Sequence, residues 1–175
     1  LYGKIDESSF FQASQITHVG LLIEDNREYL NFYDGILGLH RSSDQKSGTV
    51  TFKNRSSRVA FNLLEDESYS ITCFDPPCLS KDDVEQMRSG RLKMVRFTNH
   101  SELEKKFSYA SPGSLGYSLY TLRVNSIEKS HQRIQQSEAT HLTDICVNEF
   151  GEFSFSFVAP DGYFWSIVQS NNSRD

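Results

Sequence analysis

Five histidines, His18, His40, His100, His131 and His141, are the side chains of this chain best suited to chemistry near neutral pH. An unperturbed imidazole titrates near about 6.5, so each could relay a proton as a general base or hold a divalent metal through a neutral ring nitrogen. His18 lies in the apolar run Ile16-Thr-His-Val-Gly-Leu-Leu-Ile23, and nothing in their spacing gathers the other four beside it. His131 falls on the apolar side of an expected helix, where a hydrogen-bonded structural histidine is commoner than a ligand. Cys73-Phe-Asp-Pro-Pro-Cys78 has the spacing of half a zinc site, but no second Cys or His pair follows at ligand distance. The cysteine total of 3 is odd, which argues against a disulfide framework and for a reducing compartment.

The elements that must position these groups come in two similar sets. His18-Val-Gly-Leu-Leu-Ile-Glu-Asp25 aligns with Leu119-Tyr-Thr-Leu-Arg-Val-Asn-Ser126, each a strand-like run ending in a polar turn. A helical pattern follows each run, Asn26–Leu37 with Leu30, Tyr33 and Leu37 on one side, and Ile127–Ser137 with Ile127, His131 and Ile134. Gly38 suits a left-handed cap at the end of the first. Three strands are then expected in each half: Leu39–Ser42, Gly48–Lys53 and Arg58–Leu64, then His141–Val147, Glu152–Val158 and Tyr163–Gln169. Phe153, Phe155 and Phe157 alternate with Ser154 and Ser156, the period of a half-buried strand. Pro160-Asp-Gly162 is a turn before the last strand. The expected organisation is a first βαβββ module over 14–64, an ordered connector over 65–115 and a second module over 116–170, packed as one α+β domain. The connector carries a helical stretch, Asp82–Arg88, and a strand candidate, Leu92–Phe97.

Composition narrows the partners. The net charge of −5, with 18 basic and 23 acidic residues and no basic block, lacks the electrostatic footprint of a nucleic-acid binder. Apolar runs reach about five residues, against the roughly 20 that cross a bilayer. The first residues carry neither part of a secretory signal, so a cytoplasmic protein is expected. With 37% hydrophobic residues, 13 Phe and 8 Tyr, there is ample material for a packed core.

Thr17-His-Val-Gly-Leu-Leu-Ile-Glu-Asp25, Phe32-Tyr-Asp-Gly-Ile-Leu-Gly38 and Phe155-Ser-Phe-Val-Ala-Pro-Asp-Gly-Tyr-Phe-Trp-Ser-Ile-Val168, in this order within a duplicated unit, resemble the vicinal oxygen chelate superfamily. That superfamily includes glyoxalase I, extradiol dioxygenases and the bleomycin-resistance binding proteins. The resemblance spans about residues 14 to 170 but not the connector. It implies two βαβββ modules forming a cupped mixed sheet around a ligand cavity, with helices outside. It also implies that units pair within one chain or across a homodimer. Metal-using members place ligands on the first and last strand of each module, and matching the flanking motifs puts those positions at His18, Asn62, Leu119 and Ser166. Only His18 is a good ligand; Asn62 offers a neutral oxygen, Ser166 is poor without deprotonation, and Leu119 cannot bind. The set lacks carboxylate charge, so no metal and no other cofactor is expected there.

Strand alternation extends the expected lining. With His18 and Ser166 turned to the cavity, Gly20 and Leu22 accompany the first, and Phe164 and Val168 the second, while Trp165 turns to the core. Ala60, Asn62 and Leu64 are expected to face the cavity from a fourth strand, and Leu119, Thr121 and Arg123 from a fifth. Arg96 and Arg123 are the cations near its wall or mouth, suited to a carboxylate or phosphate. Three functions are open on this reading. One is a metal-independent binder of a small, largely apolar molecule, lined by Leu22, Asn62, Leu64, Arg96, Leu119, Thr121, Arg123, Phe164 and Ser166. Another is a lyase, isomerase or dioxygenase using His18 as base or a relocated metal site. The last is an interaction module using the fold as a scaffold.

Overall fold

The computed structural model describes residues 18–24, 26–41, 49–52, 55–75, 91–98, 112–113 and 118–169. They fall into two units, Leu1–Ser101 and Glu102–Asp175, each with its own sheet.

In the first unit, strand β1 (His18–Leu22) leads into helix α1 (Arg27–Asn31) and, without a break, a π-helical turn over Phe32–Ile36. Asn26 starts α1 because its side-chain oxygen accepts the Glu28 N–H at 2.9 Å, and Glu28 adds negative charge where the helix dipole is positive. Gly38 ends the stretch at φ 73°, and the Leu39 N–H closes on the Tyr33 carbonyl at 3.0 Å. Strands β2 (His40–Arg41) and β3 (Thr49–Phe52), helix α2 (Arg55–Phe61), and strands β4 (Ser68–Asp75) and β5 (Arg91–Thr98) follow. β5 lies between β1, which it meets in parallel, and β4, which it meets antiparallel; β2 and β3 both pair with β4.

One face of this sheet is covered. Leu21, Leu92, Met94, Thr72 and Phe74 are at most 3% exposed, and the Tyr33 ring lies 5.8 Å from that of Phe74. Arg41 reaches the same side, with its guanidinium 5.5 Å from the Phe74 ring and 2.6 Å from Asp34.

The second unit follows the same plan with one strand fewer and no counterpart of α2, as β6 (Tyr120–Val124), α3 (Ile127–Gln135), β7 (Cys146–Val147), β8 (Phe153–Val158) and β9 (Phe164–Gln169), arranged β6-β9-β8-β7. Ser126 caps α3 through Lys129 N–H at 3.4 Å. Ile127 and Ile134 bury the helix against Phe155, Phe157, Trp165 and Ile167, all at most 5% exposed. The Pro160-Asp-Gly162 turn closes with Gly162 N–H on the Ala159 carbonyl at 2.8 Å and Gly162 at φ 93°. Trp165 is buried, as strand alternation requires. No helix among the described residues is long and apolar enough to cross a membrane.

Two expectations fail in the first unit. Residues 58–64 were expected to be its last strand, but 55–61 are helical and Asn62 ends the helix at φ 52°, with Leu63 N–H bonded to the Arg58 carbonyl at 2.8 Å. Over so short a run, apolar alternation cannot be told from a helical turn, and asparagine tolerates the left-handed stop. The last strand is instead β5, and with β4 it lies in the stretch expected to be a connector, so the first unit runs past residue 64. The expected strand over His141–Val147 shortens to Cys146–Val147 plus a bridge at Thr140. The expected helix over Asp82–Arg88, and Cys78 and His100, lie outside the described residues.

Candidate functional site

Each sheet has one helix-covered face and one open face, and pairing registers order the open face row by row. In the second unit Thr121 pairs with Ser166 and Ser166 with Ser156, so three hydroxyl residues stand side by side across β6, β9 and β8. The next row holds Arg123, Val168, Ser154 and Cys146, of which Val168 and Ser154 are buried. Val158 pairs with Phe164 and bridges to Thr140. Leu119 is 49% exposed, Thr121 is exposed, and Phe164 and Ser166 are half-buried. This face is a mixed apolar and hydroxyl floor.

Arg123 borders that floor, and its guanidinium is held by Glu152, with N–O distances of 2.6 and 3.5 Å. Glu152 also accepts from the Asn148 amide at 3.3 Å. The Arg123 hydrogen bond, helped by Asn148, holds the Glu152 carboxyl below the usual carboxylate range. Arg123 is thus a cation already committed to a carboxylate partner, and an anionic ligand would share or displace that contact.

The open face of the first unit differs. His18 stands in register with Arg91, and His40 with Asp75. Arg91 binds Asp75 through two hydrogen bonds of 2.7 and 3.1 Å. The row His18, Arg91, Asp75, His40 therefore crosses β1, β5, β4 and β2. The next row is Gly20, Lys93 and Cys73, and the third is Leu22, Val95, Ile71 and Val50. Leu22 is 41% exposed, whereas its neighbours Leu21 and Ile23 are buried.

These registers correct the ligand set. Ser166 pairs with Thr121 in the second unit, and the matching pair in the first is Lys93 with Gly20, so the position read as Asn62 belongs to Lys93. Asn62 and Leu64 lie off the sheet. Asn62 lines a cavity of about 320 Å³ against α2, with Arg55, Arg58, Val59, Leu63 and Glu65, and Leu64 is 67% exposed beyond it. Arg96, expected at the wall or mouth, is 5% exposed on the helix-covered face with Met94 and Leu92, where it donates to the Thr72 hydroxyl at 3.1 Å. His131 has a structural role: its Nε2 meets the Thr143 carbonyl at 3.0 Å and its ring meets Phe155 edge-on at 4.9 Å.

The sequence reading missed Lys93, Ser156 and the Arg91–Asp75 pair. A signal existed in Arg91-Leu-Lys-Met94, whose basic and apolar residues alternate as in a strand with one covered face, although Arg96 breaks the pattern. What no local pattern revealed is that this strand pairs with β1.

The metal that the resemblance implies can be tested against the residues of each unit. In the first unit His18 and Lys93 provide one imidazole and one ammonium; in the second, Leu119 and Ser166 provide one hydrocarbon and one hydroxyl. A lysine cation adds like charge to a metal, and none of the other replacements supplies the carboxylate that would offset it. In neither unit do the residues fit the group. Among the described residues, no three His, Cys, Asp or Glu are gathered closely enough to hold a metal ion.

No protein-family model matches the chain, and no curated protein matches it in sequence. Solved structures match in fold. A glyoxalase family protein from Bacillus cereus is 15% identical with a TM-score of 0.69, covering 89% of this chain and 93% of that one. A glyoxylase/bleomycin resistance protein/dioxygenase domain from Frankia sp. is 13% identical with a TM-score of 0.56, covering 93% and 96%. The trypanothione-dependent glyoxalase I of Leishmania major is 13% identical with a TM-score of 0.56, covering 90% and 87%. At these identities the likeness is one of architecture, and the duplicated βαβββ chain has the fold of the glyoxalase, bleomycin-resistance and dioxygenase proteins, the vicinal oxygen chelate fold.

Proposed function

We propose that this protein binds a small, largely apolar molecule on the open faces of its sheets without a metal. The observation that carries this reading is that the matching positions hold a cation in the first unit, Lys93, and a hydrocarbon in the second, Leu119, where a metal ligand would be needed. The second unit's open face supports it, since Leu119, Phe164 and Val158 supply apolar contact and Thr121, Ser166 and Ser156 a line of hydroxyls. Apolar walls with a few polar fixtures are the usual makeup of small-molecule sites. Arg123 suits a ligand with a carboxylate at one end.

A thermal-shift screen of planar apolar compounds, with and without a carboxylate, tests this reading. A ligand at about a hundredfold excess over its dissociation constant should stabilise the fold by about 2.7 kcal/mol. Ser166→Leu should weaken a hydroxyl-bearing ligand by roughly tenfold, the weight of one hydrogen bond. A screen in which nothing stabilises the protein, or a ligand indifferent to Ser166 and Thr121, would count against it.

A second reading, an isomerase or lyase with His18 as general base, is favoured by the register of His18 beside Arg91. A guanidinium next to a base can stabilise the oxyanion formed when a proton leaves a carbon beside a carbonyl. Enolisable carbonyl compounds are the substrates to try. On that reading His18→Ala abolishes turnover while leaving binding largely intact, and unchanged turnover removes it.

A further inference from the structure

The open face of the first unit is graded along its strands. Its first row carries the charges of Arg91 and Asp75, its second holds Lys93 between Gly20 and Cys73, and its third is Leu22, Val95 and Ile71. The fourth is aromatic, with Tyr69 in register with both Phe97 and Phe52, and the Tyr69 and Phe97 rings 5.8 Å apart. Successive rows are two residues apart, about 6.6 Å along a strand, so the face passes from the Lys93 row to the Phe97 row in roughly 13 Å.

The charged end has a surplus of one sign. Among the described strand residues of this face, with histidine counted as neutral, Arg91 and Lys93 are positive and Asp75 is negative. Asp75 holds the Arg91 guanidinium through two hydrogen bonds of 2.7 and 3.1 Å, which fixes it on the sheet and offsets its charge. The positive charge of Lys93 is left over. Next to it the sheet has room: Gly20 is exposed, and a Cβ added there would meet nothing within 4 Å. The apolar rows are within reach of a ligand as well, since Leu22 is 41% exposed and Val95 is half-buried.

We propose that this face binds a monoanionic amphiphile, a carboxylate on a hydrocarbon body, with the head over Gly20 beside Lys93 and the body along Leu22 and Val95 toward Phe97. The inference rests on the metal-free binding proposed above, and it adds the ligand's class, its orientation and the unit that holds it. Charge selects the class. One carboxylate balances the surplus on this face, a dianion exceeds it, and a cation is repelled by it. Hydrophobicity selects the direction, because the rows beyond Lys93 offer only apolar and aromatic side chains.

Octanoate and octanol, titrated calorimetrically into the full chain, separate head from body. Octanoate should bind at least about tenfold more tightly than octanol, the weight of one charge-assisted hydrogen bond. Lys93→Gln should abolish that preference by weakening octanoate alone, and Lys93→Arg should retain it. Leu22→Ala should weaken both compounds. Gly20→Val should weaken octanoate by filling the space for its head, with no loss of thermal stability because the added side chain meets nothing and suits a strand. If Lys93→Gln fails to fold, Gly20→Val decides. Octyl phosphate should gain nothing over octanoate; tighter binding overturns the single charge. Equal binding of octanoate and octanol overturns the anionic head and leaves metal-free apolar binding standing. A preference that survives Lys93→Gln, or that is lost in Arg123→Gln instead, overturns the placement in the first unit. If neither compound binds while planar compounds stabilise the protein, this inference fails and the broader reading survives; if nothing binds, both fail.

Discussion

The two units share a plan on one face and part on the other. Their helix-covered faces are alike: Leu21, Met94 and Phe74 under α1 and its π-helical turn, Phe155, Trp165 and Ile167 under α3. Their open faces differ row by row. Where the first unit has His18, Arg91, Asp75 and His40, the second has Leu119, Phe164, Val158 and Thr140. Where the first has Gly20, Lys93 and Cys73, the second has Thr121, Ser166 and Ser156. The covered face must stay largely apolar, with polar groups such as Arg96 and Thr72 paired, so its residues are limited to shapes that pack. The open face is free of that constraint, and there one copy is charged and the other apolar with hydroxyls.

The largest effects should come from the shared face, in both units alike. Met94→Ala should cost about 2–5 kcal/mol and Phe155→Ala about 3–5 kcal/mol, because each deletes a side chain at most 1% exposed and leaves a cavity. Urea unfolding measures both; a loss confined to one unit's variant would break the parallel.

A smaller and unequal effect is expected at matching open-face positions. Asp75→Ala removes the carboxylate from a part-buried Arg91, with side-chain exposures of 12% and 21%, and should cost roughly 1–3 kcal/mol. Added salt should narrow the difference between that variant and wild type. Val158→Ala, at the corresponding place, removes only apolar contact, so its cost should be insensitive to salt. Equal salt responses would contradict the contrast between the rows.

The smallest effect concerns Arg123, which is 59% exposed in its side chain, so Arg123→Ala should change stability little. Its signature is in pH. Glu152 titrates below its unfolded value, so the stabilisation from the pair is present above the unfolded carboxyl pKa and is lost as pH falls through the folded one. Carboxyl NMR of Glu152 should show its midpoint move upward in Arg123→Ala. A midpoint that does not move would remove Arg123 as the main cause.

Much of this architecture was legible in the sequence because it is written in local patterns. The alternation of Phe153, Phe155 and Phe157, the burial of Trp165 and the Gly38 cap each follow from a few neighbouring residues. The first unit's last strand did not, because β1 and β5 are joined by a parallel pairing across some seventy residues that no short window contains. The false strand at 58–64 filled the gap, and it carried Asn62 and Leu64 into the expected site while Lys93 was overlooked. Arg96 illustrates a different limit: a charged residue was expected near solvent, yet parity puts it on the covered face, where the Thr72 hydroxyl meets it.

The function we propose is metal-free binding on the open faces. Elemental analysis of protein purified without chelator, followed by melting with and without added Mg, Mn, Ni and Zn, tests it most directly. The account predicts far less than one divalent ion per chain and a melting temperature unmoved by any of them. One tightly held ion per chain, with a melting temperature that falls when it is stripped and returns when it is restored, would contradict it.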